Sequence, residues 1–254
     1  MSDAVLVTGV AQGIGRAIAE HLVAQGYRVL GIDIAADAPS HLAAFEKVDI
    51  TDASAALAAL ARLTAQFAVT RLVNNVGSSF RQNLAESDGT SQRRLDRLNL
   101  GSALLCLQAV LPAMRAARFG RVVNITSRAV HGRETRSAYA GTKAGLAALT
   151  RSWALELAHE GIAVNAVAPG MINTELFRRN NPPDRPDVYR LQQAIPMQRV
   201  GEPQEVARAV AFFLDASVTY ITGQTLFVCG GLSLGTFGAQ SPTMLQPQDR
   251  STAA

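Results

Sequence analysis

The segment Tyr139-Ala140-Gly141-Thr142-Lys143 places a phenol and an ammonium group four residues apart. On a helix, positions i and i+4 share a face, so we expect the two side chains to be neighbours. A free tyrosine has a pKa of about 10, and a nearby positive charge favours the phenolate and lowers that pKa. The tyrosine then becomes a competent general acid and base near neutral pH. Alone, such a pair more often marks a solvated helix face, so its meaning depends on its partners.

Two other polar residues stand where they could join this chemistry. Ser127 follows the apolar run 121–126 and precedes Tyr139. Ligands of parallel sheets bind at the carboxyl ends of the strands, where a hydroxyl at this position would point. Thr126 is a rival donor, but the alternation of the strand predicts that its side chain packs inward. Asn99 lies in an apolar helical stretch and is either a hydrogen-bonded kink residue or a functional one.

A glycine-rich turn, Gly9-Val10-Ala11-Gln12-Gly13-Ile14-Gly15, joins the first apolar run to the first helical stretch. Glycine allows close approach of a pyrophosphate, and the helix N-terminus offers free N–H groups. Such a strand–turn–helix context predicts a dinucleotide site. Asp33 ends the second run, where a carboxylate accepts hydrogen bonds from ribose hydroxyls and repels a 2′-phosphate. The flanking residues are not basic, so we expect NAD in preference to NADP.

Short β-branched runs alternate with long amphipathic stretches along the whole chain. Strands are predicted at 4–8, 28–33, 45–49, 71–74, 120–126, 162–168 and 224–228. Helices are predicted at 14–25, 53–66, 91–117, 137–160 and 203–215. This alternation predicts an α/β fold, a doubly wound parallel sheet of about seven strands with helices on both faces. We expect one domain over 1–235, a lid over about 173–200 and a tail over 236–254.

These motifs, taken in order, resemble those of the short-chain dehydrogenase/reductase family. The glycine turn has that family's spacing, and Asp49-Ile50 resembles its adenine-contacting pair. Asn74-Asn75-Val76-Gly77 is similar to its Asn-Asn-Ala-Gly motif, with Val76 in place of alanine. Pro169-Gly170-Met171-Ile172-Asn173-Thr174 resembles the segment after its sixth strand. The family usually has aspartate where this chain has Cys229, before Gly230-Gly231.

The resemblance implies a Rossmann-type fold and a nicotinamide cofactor. It also implies roles for four residues: Tyr139 transfers the proton, Ser127 holds the substrate oxygen, Lys143 lowers the tyrosine pKa and binds the nicotinamide ribose, and Asn99 anchors a water. The expected cofactor-binding residues, beside Tyr139 and Lys143, are Gly9, Gln12, Gly13, Ile14, Gly15, Asp33, Asp49, Ile50, Asn75, Val76, Gly77, Pro169, Gly170, Ile172 and Thr174. By the same resemblance, helices 91–117 and 137–160 would pair in a homotetramer, with a homodimer as the alternative.

Composition argues against several other classes. Hydrophobic residues make up 48% of the chain and the formal net charge is only +4, without a basic stripe, so nucleic-acid binding is not expected. Neither a secretory signal nor a membrane segment is visible, so a cytoplasmic protein is expected. The two cysteines are expected to be buried thiols, and the four histidines lack the spacing of metal ligands. Gly231-Leu232-Ser233-Leu234-Gly235 matches a hydrolase elbow, but no histidine follows it.

The expected reaction is NAD-dependent interconversion of an alcohol and a carbonyl compound, with cyclic alcohols, aryl alcohols or dihydrodiols as candidates. Alternatives are a 3-oxoacyl-carrier-protein-type reductase and a non-catalytic NAD-binding protein. The arginines at positions 128, 133 and 136 lie between Ser127 and Tyr139, with Arg178 and Arg179 further on. They would either favour an anionic substrate or be solvated.

Overall fold

A computed structural model describes residues 4–181 and 192–234 of the chain. Its seven strands form one parallel sheet in the order β3-β2-β1-β4-β5-β6-β7. In chain order they are β1 Ala4–Thr8, β2 Arg28–Asp33, β3 Ala44–Lys47, β4 Val69–Asn74, β5 Gly120–Ile125, β6 Ile162–Pro169 and β7 Thr225–Val228. The predicted sheet is confirmed, with boundaries that differ by one or two residues.

The helices of the described ranges are α1 Gly13–Ala24, α2 Ala53–Gln66, α3 Gly89–Asp96, α4 Ser102–Ala117, α5 Ser137–Leu157, α6 Glu175–Asn180 and α7 Pro203–Leu214. Short 3-10 turns cover Leu84–Glu86, Arg128–His131 and Ala158–Glu160. Asp52 is the N-cap of helix α2, and its carboxylate accepts from the N–H groups of Ser54 and Ala55. Helix α7 begins with Pro203 and a capping box formed by Glu202 and Glu205.

The sheet is covered on both faces, which explains the unbroken apolar runs of its central strands. In β1, Leu6 packs on one face with residues of α2, α4 and α5, whereas Val5 and Val7 pack on the other with α1 and α7. All three side chains are fully buried. A strand buried on both faces has no polar side, so its sequence is continuously hydrophobic.

The strand order places the functional turns together. The chain runs outward from β1 to β3 and then returns to add β4 beside β1. At this switch point the loops after β1 and β4 diverge, leaving a crevice at the carboxyl edge of the sheet. The loops after β5 and β6 border the same edge. Residues far apart in sequence, such as Gly9, Asn75 and Ser127, thereby come to one site.

The predicted helix 91–117 is interrupted. A π-helical turn, Arg97–Gly101, separates α3 from α4 and contains Asn99. Repeated apolar spacing continues across the interruption, so periodicity alone did not reveal it. π-Helical turns are rare and occur frequently at functional sites.

The segment after β6, which is predicted to form a lid, contains α6. Ile195, in the same segment, is only 1% exposed. A bridge pairs Ile172 with Gly201. The whole of the predicted tail over 236–254, and part of the predicted lid over 173–200, lie outside the described residues.

The helical stretch Gly89–Ala117 has a mean hydropathy of 1.4 in its most apolar window. By length and composition alone this stretch would be able to cross a membrane, whereas the sequence analysis identifies no membrane segment. Core helices of soluble proteins meet the same criteria, and α4 buries Cys106, Val110 and Met114 against the sheet. Both cysteines of the chain, Cys106 and Cys229, are free and buried.

Candidate active site

A cavity of about 750 Å³ runs along the carboxyl edge of the sheet. Its walls contain Ser127, Tyr139 and Lys143 at one part and the glycine turn at another. All the predicted cofactor-binding positions line it: Gly9, Gln12, Gly13, Ile14, Gly15, Asp33, Asp49, Ile50, Asn75, Val76, Gly77, Pro169, Gly170, Ile172 and Thr174. Asn99 is the predicted site residue that does not reach the cavity wall.

Close backbone contact and hydrogen bonds from Asn75 stabilise the glycine turn. The backbone of Gly15 approaches Gly9 so closely that a Cβ at Gly15 would lie 1.8 Å from the Gly9 carbonyl oxygen. The Asn75 amide donates to the carbonyl oxygens of Thr8 at 3.0 Å and Gly9 at 3.1 Å. The side chain of Asn75 therefore supports the turn, a role the sequence did not distinguish from contact with the cofactor. The narrow groove fits a pyrophosphate against the start of α1.

Asp33 lies beside this turn at the end of β2. Its two carboxylate oxygens accept from the backbone N–H groups of Ala11 at 2.8 Å and Ala35 at 2.9 Å. These bonds fix the carboxylate toward the cavity, and each oxygen retains a free acceptor position. Arg16 donates to the Ala11 carbonyl at 3.4 Å and is paired with Glu20. The geometry fits two ribose hydroxyls.

The remaining cofactor-side positions border the same groove. Asp49 accepts from the N–H and the hydroxyl of Thr51, and these bonds lower the pKa of its carboxyl group. Thr174 caps α6 and lies against the glycine turn, 3.4 Å from where a Cβ of Gly13 would be. Helix α6 thus begins directly over the predicted pyrophosphate site.

Tyr139 and Ser127 line the same cavity. Burial raises the pKa of Tyr139, whereas the Ser127 side chain and the charges of Arg136 and Arg133 oppose that increase. This electrostatic support comes from two arginines, whereas the sequence pattern predicted it from Lys143. Thr126 donates to the Val167 carbonyl at 3.1 Å and is 2% exposed, whereas Ser127 is partly exposed.

Lys143 is 3% exposed, and its Nζ donates to the Ile125 carbonyl at 2.7 Å. Burial lowers the pKa of this ammonium group to about 8. Gly77 lies directly in front of it, since a Cβ there would be 3.1 Å from both Lys143 Nζ and Asn99 Oδ1. Glycine at position 77 therefore leaves the approach to the lysine open.

Asn99 lies behind the cavity wall and is 1% exposed. Its Oδ1 accepts from Ser78 N at 3.0 Å, and its Nδ2 donates to Ser78 O at 3.1 Å and Thr142 Oγ1 at 2.9 Å. Thr142 in turn donates to the Tyr139 carbonyl. Asn99 therefore ties the loop after β4 to the helix that carries Tyr139 and Lys143. The sequence left two alternatives for Asn99, a hydrogen-bonded kink residue or a functional one. The structure places it in the π-helical turn, as a hydrogen-bonded residue.

The arrangement is suited to proton transfer at a substrate oxygen beside a bound dinucleotide. Ser127 and Tyr139 line the cavity with two hydroxyl groups, and the buried Lys143 lines the same cavity. Among residues 4–181 and 192–234, no group of three or more His, Cys, Asp or Glu side chains is placed to hold a metal ion.

Comparison with known proteins agrees with this geometry. A family model described as Enoyl-(Acyl carrier protein) reductase matches residues 9–233. The 3-oxoacyl-[acyl-carrier-protein] reductase FabG of Salmonella typhimurium is 38% identical over 236 residues, which cover 89% of this chain and 96% of that protein.

Two solved structures extend the comparison to the fold. The aldohexose dehydrogenase of Thermoplasma acidophilum, in ligand-free form, has a TM-score of 0.86 and 32% identity, covering 92% of this chain and 95% of that one. ElxO with NADP bound also has a TM-score of 0.86, with 27% identity over 92% of this chain and 100% of that one. Because these matches span the glycine turn, the serine, the tyrosine and the lysine, the chain belongs to the short-chain dehydrogenase/reductase family and is an oxidoreductase.

Proposed function

We propose that this enzyme is an NAD-dependent dehydrogenase of secondary alcohols, with cyclic alcohols, aryl alcohols and dihydrodiols as candidate substrates. The observation that carries the cofactor assignment is the Asp33 carboxylate, held by two backbone N–H groups beside the glycine turn. A carboxylate in that position binds ribose hydroxyls and repels a 2′-phosphate. The observation that supports an alcohol substrate is the Ser127–Tyr139 pair in the continuous cavity.

In the proposed mechanism, Ser127 donates a hydrogen bond to the substrate oxygen and orients it toward Tyr139. A bound nicotinamide would supply the acceptor or donor of the hydride. Tyr139 removes the hydroxyl proton during oxidation and returns it to the carbonyl oxygen during reduction. The positive charges of Arg136 and Arg133 favour the tyrosinate that this exchange requires. Asn99 keeps the loop after β4 in register with α5.

A second candidate is reduction of a 3-oxoacyl thioester. It is favoured by the 38% identity to a 3-oxoacyl-[acyl-carrier-protein] reductase, and NADP in the ElxO structure favours the phosphorylated cofactor. Asp33 argues for NAD instead. The two candidates share the proton-transfer residues and differ in cofactor and direction.

A turnover screen separates them. The purified enzyme is assayed with NAD and NADP against secondary cyclic alcohols, aryl alcohols and dihydrodiols, and with NADH and NADPH against acetoacetyl thioesters. We expect higher kcat/KM for an alcohol with NAD. Faster reduction of the thioester with NADPH would instead favour the second candidate. Tyr139→Phe should remove most of kcat and leave the Kd for NADH nearly unchanged; retained kcat would overturn the role of Tyr139.

We also propose a homotetramer assembled through α4 and α5. Leu104 on α4 is 43% exposed and Leu155 on α5 is 84% exposed, so both helices present apolar side chains outward. Light scattering coupled to size exclusion should give the mass of four chains. The mass of one chain would refute this assembly, and the mass of two would favour the dimer.

A further inference from the structure

Two arginines border the catalytic part of the cavity. Arg133 and Arg136 both line it with Ser127 and Tyr139. Arg136 is only 8% exposed, and Arg133 is partly buried. Their positive charges also oppose the rise in the Tyr139 pKa that burial causes.

These cations lack acidic partners in the described ranges 4–181 and 192–234. Neither forms an ion pair there. The Arg136 guanidinium hydrogen-bonds to the neutral hydroxyl of Ser79. Burial and the neighbouring charges of Arg136, Arg128 and Arg81 lower the pKa of Arg133. Burial and the charge of Arg81 likewise lower the pKa of Arg136. Holding buried like charges together costs free energy that an anion would relieve.

The acidic residues of the cavity lie elsewhere. Asp33 lies at the end of β2, and Asp49 follows β3. Glu175 lies over Gly13 in the glycine turn. Glu134, next to Arg133 in sequence, is exposed and forms no ion pair among the described residues. The catalytic part of the cavity therefore carries the positive charges of Arg133 and Arg136. The acidic side chains of the cavity lie in its cofactor part.

The loop that carries both arginines is fixed by backbone contacts. The Gln82 N–H donates to the Thr135 carbonyl at 2.9 Å, and the Arg136 N–H donates to the Arg133 carbonyl at 3.2 Å. Thr135 has φ 57°, an uncommon conformation for a β-branched residue. Between these contacts, the loop turns so that residues 133 and 136 reach the same cavity. A preorganised pair loses little conformational entropy when it binds a ligand.

We infer that Arg133 and Arg136 form a subsite for a carboxylate on the substrate, so that the enzyme acts on hydroxy acids or oxo acids. This inference rests on the proposed function and names its substrate class. Guanidinium groups bind carboxylates through paired, charge-assisted hydrogen bonds. Because both arginines line the same cavity as Ser127 and Tyr139, the carboxylate and the reacting carbon would belong to one substrate molecule.

The test compares oxo acids with their methyl esters, which remove the charge and keep the reacting ketone. Pyruvate, acetoacetate, levulinate and 4-acetylbenzoate are each reduced by NADH to the alcohol, beside the corresponding ester. We expect at least one acid to exceed its ester about 10-fold or more in kcat/KM. Arg136→Met and Arg133→Met should each lower that acid-to-ester ratio by about 10-fold, toward 1. Arg136→Lys should restore part of it.

The ratio separates substrate binding from the effect of these charges on Tyr139, since that effect slows acid and ester alike. Arg151→Met is the matched control, because Arg151 is exposed on α5 outside the cavity. It should keep the wild-type ratio. Calorimetry of each acid and ester with the NADH-saturated enzyme supplies a readout independent of turnover.

The outcomes distinguish failure of the carboxylate subsite from failure of the proposed function. If neither acids nor esters are reduced but an acid binds more tightly than its ester, and Arg136→Met abolishes the difference, the subsite stands and the proposed function fails. If neutral ketones are reduced while every acid and ester pair is equivalent, the function stands and the subsite is refuted. An acid preference that survives both arginine substitutions would also refute it. Absence of both turnover and acid binding would refute both.

Discussion

Replacing Gly15 by alanine tests whether the glycine turn closes as described. A Cβ at this position would lie 1.8 Å from the Gly9 carbonyl oxygen and 2.4 Å from the Asn75 amide nitrogen. Real Cβ contacts essentially never fall below 3.0 Å, so the turn must open by at least 3.0 − 1.8 = 1.2 Å. The contact is with backbone, which cannot rotate away as a flexible side chain could.

The size of the effect follows from what that movement breaks. The Gly9 oxygen accepts from Asn75 Nδ2 at 3.1 Å, a bond that does not survive a shift of this size. Overpacking costs about 1–3 kcal/mol, and a lost buried hydrogen bond costs about 1–3 kcal/mol more. The helix preference for alanine offsets about 0.5–1 kcal/mol. We therefore expect the free energy of unfolding to fall by roughly 1–5 kcal/mol.

Cofactor binding should suffer as well, because the same turn approaches the pyrophosphate. Loss of one charge-assisted hydrogen bond to a phosphate corresponds to about 10- to 100-fold in Kd. Fluorescence titration with NADH measures the Kd, and urea unfolding measures the stability of the same preparation. Gly141→Ala is the control, since it lies on α5 with no heavy atom within 4 Å of the added Cβ. It should raise stability by about 0.5–1 kcal/mol and leave the Kd unchanged.

A folded Gly15→Ala enzyme with the wild-type Kd and stability would refute this reasoning. It would mean that Gly9 and Gly15 do not approach each other in solution. A large loss of stability with an unchanged Kd would confine the role of Gly15 to folding and contradict its assignment to the cofactor site.

Three other predictions follow from the same site. Asp33→Ala should raise the Kd for NADH and reduce the preference for NADH over NADPH, because the carboxylate is lost while Arg16 remains beside the turn. An unchanged ratio of the NADH and NADPH Kd values would contradict the role of Asp33. Burial lowers the pKa of Lys143 from 10.5 to about 8, so between these values the unfolded chain binds more protons and stability rises with pH. Lys143→Met should abolish this contribution in urea unfolding at pH 8, 9 and 10, and an unchanged pH dependence would contradict the shift. Asn99→Ala should lower the free energy of unfolding by about 2–4 kcal/mol, because Ser78 and Thr142 lose their partner; a loss below about 0.5 kcal/mol would show that the network contributes little.

Several features of this enzyme can be predicted from its sequence alone, because they depend on local chemistry. The glycine turn, the serine after β5 and the Tyr139–Lys143 spacing are recognisable because each depends on a few consecutive residues. A strand–turn–helix unit needs glycine wherever backbones approach closely, and a helix brings positions i and i+4 together whatever surrounds it. The alternation of apolar runs and amphipathic stretches likewise indicated the parallel sheet, because strands buried on both faces must be apolar.

Other properties arise from packing between distant segments. The π-helical turn at Asn99, the support that Asn75 gives to Gly9, and the burial of Arg136 beside Tyr139 depend on neighbours remote in sequence. Whether an arginine is solvated or buried without an acidic partner cannot be read from its flanking residues, since desolvation and Coulombic interaction depend on three-dimensional surroundings. The motif Tyr139–Lys143 identifies the chemistry, and the folded chain adds Arg133 and Arg136 to the charges that act on it.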